Sequence, residues 1–184
     1  MIKINLVTSN LSKVEEFKVV IGTKAEIAHI YMRYKELKSD APEDIAKDSA
    51  KMLVNEMKIP VVVEDSGLFI EALNGFPGTC SAYIHKRIGL NGILKLMEDV
   101  KDRTAYYKSA VAYCEPDKEP VAFLGEEIGD IAESVRGSYG FGHDPIFIPQ
   151  GSHKTYGEME NAGYLKKFRR LAIENLMDYL EKII

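Results

Sequence analysis

The run Pro60-Val61-Val62-Val63 passes directly into Glu64-Asp65-Ser66-Gly67. Consecutive β-branched residues without polar alternation mark a strand buried on both faces, and such a strand needs a sheet covered on both sides by other elements. Two adjacent carboxylates at the end of that strand are costly unless cations or donors meet them. The chain is therefore expected to be α/β, with its chemistry near residues 64 and 65. Its 184 residues suit one domain, able to bury roughly 70% of its unfolded surface.

Around that strand the pattern alternates between strand and helix. Residues 2–7 carry apolar side chains at Ile2, Ile4 and Leu6 and run into Thr8-Ser9-Asn10, a strand entering a turn. Ser12 with Glu15 reads as a capping box for a helix whose stripe is Val14, Phe17, Val20 and Ile21, ending at Gly22. A strand over 27–31 and a helix from Pro42 to about Lys58 follow. Asn74-Gly75-Phe76-Pro77-Gly78 is turn chemistry, and a helix over 89–98 carries Ile93, Leu94 and Met97. Residues 104–114 and 121–124 flank Pro116-Asp117-Lys118-Glu119 as a hairpin, which a strand over 129–135 extends. A short strand at 146–148 precedes one long helix over 164–182, with Leu165, Phe168, Ala172, Leu176 and Leu180 on its core face. Neither a repeat nor a linker interrupts the chain, so 1–184 is expected to be a single domain: a mixed twisted sheet with flanking helices, forming two lobes around a central cleft.

Composition excludes several classes. With 46% hydrophobic and 28% charged residues the chain is neither disordered nor fibrous. No apolar stretch is long enough to span a bilayer, and the start MIKINLVTSN lacks a basic segment followed by a long apolar one, so the expected location is the cytoplasm. Cys80 and Cys114 fit no zinc spacing and are expected to be free, buried thiols. A net charge of −4 argues against a nucleic-acid partner but not against a small anion bound in a locally positive pocket.

Four segments have chemical potential. Thr8, Ser9 and Asn10 lie before a helix whose amide dipole favours an anion, with Lys13 in its first turn; ordinary capping is the alternative. Glu64 and Asp65 suit a hard cation such as Mg²⁺, which takes one or two carboxylates and leaves its other positions to water and phosphate; a turn cap is the alternative. Gly140-Phe141-Gly142-His143-Asp144-Pro145 offers an aromatic and an acid to a flat heterocycle, or else is a tight turn. Lys166, Lys167, Arg169 and Arg170 form either a solvated face or a source of cations for a ligand. By itself Glu36 reads as a surface residue, and no histidine has nucleophile or metal spacing.

Taken in order, the motifs resemble those of the inosine triphosphate pyrophosphatase family, the Ham1-like enzymes. Its T-x-N-x-x-K is Thr8-Ser9-Asn10-Leu11-Ser12-Lys13 with Glu16 following, and its E-D-S-G is Glu64-Asp65-Ser66-Gly67. Its G-x-P-G is Gly75-Phe76-Pro77-Gly78, and its G-F-G-Y-D-P-I-F is residues 140–147, with His143 in the tyrosine's place. The resemblance implies the family's fold and Mg²⁺-dependent cleavage of non-standard purine nucleoside triphosphates such as ITP, dITP and XTP between the α and β phosphates. It further implies that Thr8, Ser9, Asn10 and Lys13 hold phosphates, Lys13 also serving catalysis, and that Glu36 and Asp65 hold Mg²⁺. Asp65 would also orient or deprotonate water. Lys51 would match a lysine of the second helix once a gap is allowed, while Ser66, Phe141, Gly142, His143 and Asp144 would hold the base. A homodimer is implied as well, with residues 76–83 as a candidate surface.

The C-terminal pattern departs from the family's. Where members carry E-E-K and then S-H-R, this chain has Tyr164 for the lysine, Phe168 for the serine and Arg169 for the histidine, keeping only Arg170. Tyr164, Arg169 and Arg170 are thus expected at the substrate, and Lys166 or Lys167 are candidates to replace the missing lysine. A Maf-like pyrophosphatase is the alternative enzyme, but its S-x-S-P-R-R start is absent. A nucleotide-binding protein without hydrolysis is the alternative class.

Overall fold

In this computed structural model, which describes residues 2–183, seven strands form one mixed sheet. Its elements are β1 (Ile2–Val7), α1 (Leu11–Ile21), β2 (Ala25–Ile30), α2 (Pro42–Met57), β3 (Val61–Ile70), β4 (Pro77–Gly78), α3 (Ser81–Leu96), β5 (Thr104–Cys114), β6 (Val121–Ile131), β7 (Phe147–Pro149), α4 (Ala162–Leu165) and α5 (Lys167–Ile183). The sheet order is β2-β1-β3-β5-β6-β7, with β4 pairing to β3. β1 runs parallel to β2 and β3, and the remaining pairs are antiparallel.

The valine run is central, as its composition requires. Val62 packs with Val14, Phe17 and Ile21 of α1 and Ala172, Ile173 and Leu176 of α5. On the opposite face Val61 and Val63 meet Ala46, Ala50, Leu53 and Val54 of α2. A second lobe gathers Leu68, Ile70, Ile93, Tyr107, Phe147 and Phe168. The cleft lies where β3 passes from the first lobe to the second.

Several sequence expectations are corrected. Glu64-Asp65-Ser66-Gly67 does not end the strand but continues it to Ile70, because each of these residues pairs with β5, Glu64 opposite Val111 and Gly67 opposite Lys108. Asn10, not Ser12, caps α1: its side chain accepts from the Ser12 and Lys13 amides, which places Ser12 inside the helix. α3 starts at Ser81, ahead of Gly89, which sits inside it as a kink at φ +63°. β6 is one strand through Gly125, where a side chain would collide with the Phe168 carbonyl of α5. The terminal helix is broken at Lys166 (φ −65°, ψ 91°), dividing it into α4 and α5. Of the two thiols Cys114 is buried, but Cys80 is exposed.

Gly67 shows why the motif glycine is needed: a Cβ there would run into the Gly78 carbonyl group of β4. Gly67→Ala is therefore expected to lower stability by about 1–3 kcal/mol, measured by urea denaturation, through forced displacement of β4. An unchanged midpoint would show that β4 yields freely.

Candidate active site

Alternation along β3 sends Glu64 and Ser66 to the face shared with α1 and α5, and Asp65 to the opposite face. Glu64 is buried and meets three donors. Lys13 Nζ lies 2.6 Å from its Oε2, Arg169 Nε donates to its Oε1 at 3.0 Å, and Ser109 Oγ donates to the same oxygen at 2.6 Å. Burial alone would raise the Glu64 carboxyl, but the Arg169 and Lys13 cations, with the hydrogen bonds from Lys13 and Ser109, hold it well below the usual carboxylate range.

The charges continue from there. The Arg169 guanidinium also pairs with Glu16 Oε2 and donates to Ser66 Oγ at 2.9 Å. Glu16 Oε1 lies 2.5 Å from Lys166 Nζ, which in turn lies 2.7 Å from Asp144 Oδ2. A chain of ion pairs thus runs Lys13, Glu64, Arg169, Glu16, Lys166, Asp144. Burial raises the Asp144 carboxyl despite Lys166. Asp144 Oδ2 accepts the Phe141 amide at 2.7 Å, and Gly140 at φ +75° lets the loop close on that carboxylate, where a Cβ would collide. The Phe141 ring lies 4.3 Å from Lys166 Nζ and 5.5 Å from Arg169 Cζ, a cation–π arrangement.

These groups surround one cavity of about 530 Å³. Thr8, Ser9, Asn10, Lys13, Glu36, Asp65, Ser66, Phe141, Gly142, His143, Asp144 and Arg169 all line it, although they come from five separate segments of the chain. The side chains of Thr8 and Asn10 also cap: Thr8 Oγ1 accepts the Asn10 amide at 3.1 Å. His143 is buried, and its ring packs edge-on against His85 at 5.2 Å. Burial, with His85 adding, depresses its pKa to about 4, so the ring is neutral at pH 7. Asp65 is pushed up to about 7, chiefly by burial, with Glu64 and Glu36 adding and Lys13 opposing. Its Oδ2 is buried without a hydrogen-bond partner.

Three expected residues lie elsewhere. Lys51, on α2, donates to the Lys118 carbonyl and to Glu119 at 2.9 Å each, beside the β5–β6 turn; the gap needed to align it picks a position pointing away from the cleft. Tyr164 is exposed outside the cavity, with the Arg170 guanidinium 5.3 Å above its ring, and Arg170 does not line the cavity either. The physical reason is the break at Lys166: it shifts the helical register, so that Lys166 and Arg169 enter the cleft while Tyr164 and Arg170 leave it. Of the two lysines considered as replacements for the missing one, Lys166 lines the cavity and Lys167 does not. Ser81, which follows the G-x-P-G motif, lines the cavity too, as do Tyr34, Thr79, His85 and Tyr107, which no local spacing announced.

The model of the Ham1 family matches residues 4–179. The chain belongs to the Ham1 family. A relative from Methanopyrus kandleri, named dITP/XTP pyrophosphatase, is 48% identical over 158 residues, covering 85% of this chain and 84% of its own. One of the same name from Methanosarcina acetivorans is 42% identical over 181 residues, covering 97% of each. Among solved structures a HAM1 protein from Coxiella burnetii superposes with a TM-score of 0.85 at 26% identity, covering 99% of this chain and 100% of its own. The Staphylococcus aureus Ham1 protein gives 0.82 at 28%, covering 98% and 100%. The two-lobed α/β fold is thus that of Ham1 proteins, and the motif match extends to the whole architecture.

The ion-pair chain and the orphaned carboxylate have measurable consequences in this Ham1 protein. Glu16→Ala leaves Lys166 and Arg169 each short of a buried partner and is expected to cost on the order of 3 kcal/mol in denaturant unfolding. Retained stability would mean that water replaces the carboxylate. Asp65 works in the opposite sense. Its folded pKa lies above the unfolded value, so its contribution to stability falls as pH rises from about 4 towards 7 and is lowest above that range. Asp65→Asn should therefore raise the metal-free Tm, by more at pH 8 than at pH 5; a pH-independent change would refute the shifted carboxyl.

Proposed function

We propose that this chain hydrolyses non-standard purine nucleoside triphosphates, dITP and XTP with ITP, to the nucleoside monophosphate and pyrophosphate. One observation carries the reading: a cleft joining a helix N-terminus with Lys13 at one end, an unpartnered buried carboxylate oxygen on Asp65 in the middle, and an aromatic–acid loop at the other end. Relatives covering most of the chain bear the name dITP/XTP pyrophosphatase, which supports the substrate class. The name those relatives share is that of a hydrolase, which favours an enzyme over a binding protein without hydrolysis.

Mg²⁺ fits the donor set. Among the described residues no group of three or more His, Cys, Asp or Glu side chains is arranged to hold an ion, but Mg²⁺ asks for one or two carboxylates plus substrate phosphates. Asp65 Oδ2 lacks a partner and Glu36 lines the same cavity, so these two would hold it. Bound there, the ion would neutralise phosphate charge during the displacement.

The chain's own groups do the rest. Lys13, anchored by Glu64, and the start of α1 orient the phosphates. Asp65 accepts a proton from the water that attacks the α phosphorus, and the bridging oxygen leaves on pyrophosphate. The base enters the loop 140–145, where Phe141 supplies a stacking surface. Neutral His143 and the Lys166–Asp144 pair present hydrogen-bonding groups to the purine edge. Phe76 and Tyr83, both exposed, are consistent with the expected dimer surface. No helix among the described residues is long and apolar enough to cross a membrane.

Phosphorus NMR with Mg²⁺ and, in turn, ITP, dITP, XTP, ATP, GTP and dTTP tests the reading. Pyrophosphate is expected to appear fastest from dITP, XTP or ITP, to vanish with chelator, and to fall at least about 100-fold in Asp65→Asn, in line with loss of an electrostatic or proton-transfer group. Preferred cleavage of ATP or dTTP, or normal turnover by the variant, would overturn it.

A further inference from the structure

Four cationic side chains line the cleft: Lys13, Arg33, Lys166 and Arg169. Three are already neutralised. Lys13 is paired with Glu64, Lys166 with Glu16 and Asp144, and Arg169 with Glu16 and Glu64. Glu36 and Asp65 add further acid to the same walls. A cleft so balanced has little free positive charge for a triphosphate, which brings several negative charges. Arg33 is the exception: it is exposed, lines the cavity and forms no ion pair among the described residues.

Topology places Arg33 at one particular end. β2 lies at the edge of the sheet beside β1, with Ile30 opposite Val7, and the Thr8 amide donates to the Ile30 carbonyl at 3.2 Å. His29 Nε2 donates to the Thr8 carbonyl at 2.9 Å, a second tie between the same two strand ends. Arg33 therefore follows directly from the strand that flanks Thr8-Ser9-Asn10, whereas the Phe141–Asp144 loop hangs from the opposite side of the sheet between β6 and β7. Its segment is also held in place. Met32 and Tyr34, on either side, pack against the α2 core, and the Ser39 carbonyl accepts Thr79 Oγ1 at 2.6 Å across the cleft. The anchored neighbours fix where the Arg33 backbone sits, and its planar guanidinium fork matches two phosphate oxygens.

We propose that Arg33 binds the β and γ phosphates, the part of the substrate that leaves as pyrophosphate. This rests on the triphosphate reading above and adds the residue that supplies the missing charge at the end distal to the base. Its reach is confined to those phosphates: a monophosphate held by the base loop and Lys13 does not extend to it.

Titration calorimetry separates the possibilities, using wild type, Arg33→Gln and Arg33→Lys in Mg²⁺ with IMP and with an ITP analogue whose α and β phosphates are bridged by an imido group. Arg33→Gln is expected to bind the analogue about tenfold more weakly and IMP within twofold of wild type, Arg33→Lys to fall between, and the difference to shrink as NaCl is raised. Because Arg33 is exposed, the melting curves of the variants should match wild type. Equal loss for IMP and analogue, or undiminished analogue binding, overturns the assignment. If the wild type hydrolyses none of ITP, dITP and XTP while the calorimetric difference persists, the proposed reaction falls and the residue's role stands; a wild type that binds neither ligand overturns both.

Discussion

The cleft depends on one buried chain of alternating charge. Glu64 and Glu16 are the two anions at its centre, and each is gripped by two cations from different elements. Removing either anion leaves two buried or half-buried cations each short of a partner, which is more costly than the net worth of a pair. The chain thereby ties α1, β3, the loop before β7 and the break between α4 and α5 to a common geometry. An apolar replacement would hold these elements together equally well, but it would not hold Lys166 beside Phe141 or Arg169 beside Ser66. Position, more than stability, is what the charges secure.

That arrangement also divides the acids by role. Glu64, adjacent to Asp65 in sequence, faces the cations and stays ionised, while Asp65 faces the other side of the strand and is raised towards neutrality. The period of two in a β-strand produces this division without any further device. A strand that ended at Val63, as its composition suggested, would not have separated the two carboxylates in this way.

How much was legible follows from how local each signal is. The valine run, the alternation of β1 and the Pro42 start of α2 are contiguous patterns, and each element formed where its pattern lay. Ser12 against Asn10 as the cap of α1, and Gly89 inside α3, were missed because caps and kinks depend on φ/ψ values that several residue types satisfy. Residues of three motifs, 8–13, 64–67 and 141–144, meet at the cavity because each of these motifs sits where an element ends or crosses the cleft, while Gly75-Phe76-Pro77-Gly78 does not line it. Lys51 and Tyr164 failed for the opposite reason, since each position came from a count along a helix, across a gap in one case and across a break in the other.

The break at Lys166 deserves physical weight. Had the terminal helix continued unbroken, Lys166 and Arg169, three residues apart, would still have shared a face, but one turned about 100° from the core face of Leu165 and Phe168. Leaving helical geometry at Lys166 exposes Leu165 and Tyr164 and buries Lys166 against Glu16 and Asp144. Two cations thus enter a site where the family pattern would place a lysine and a histidine two and zero residues away. The same rearrangement consumes both of them in ion pairs, so that free positive charge must come from another element. Strand β2, whose following segment carries Arg33 into the cleft beside the start of α1, is the element the topology offers.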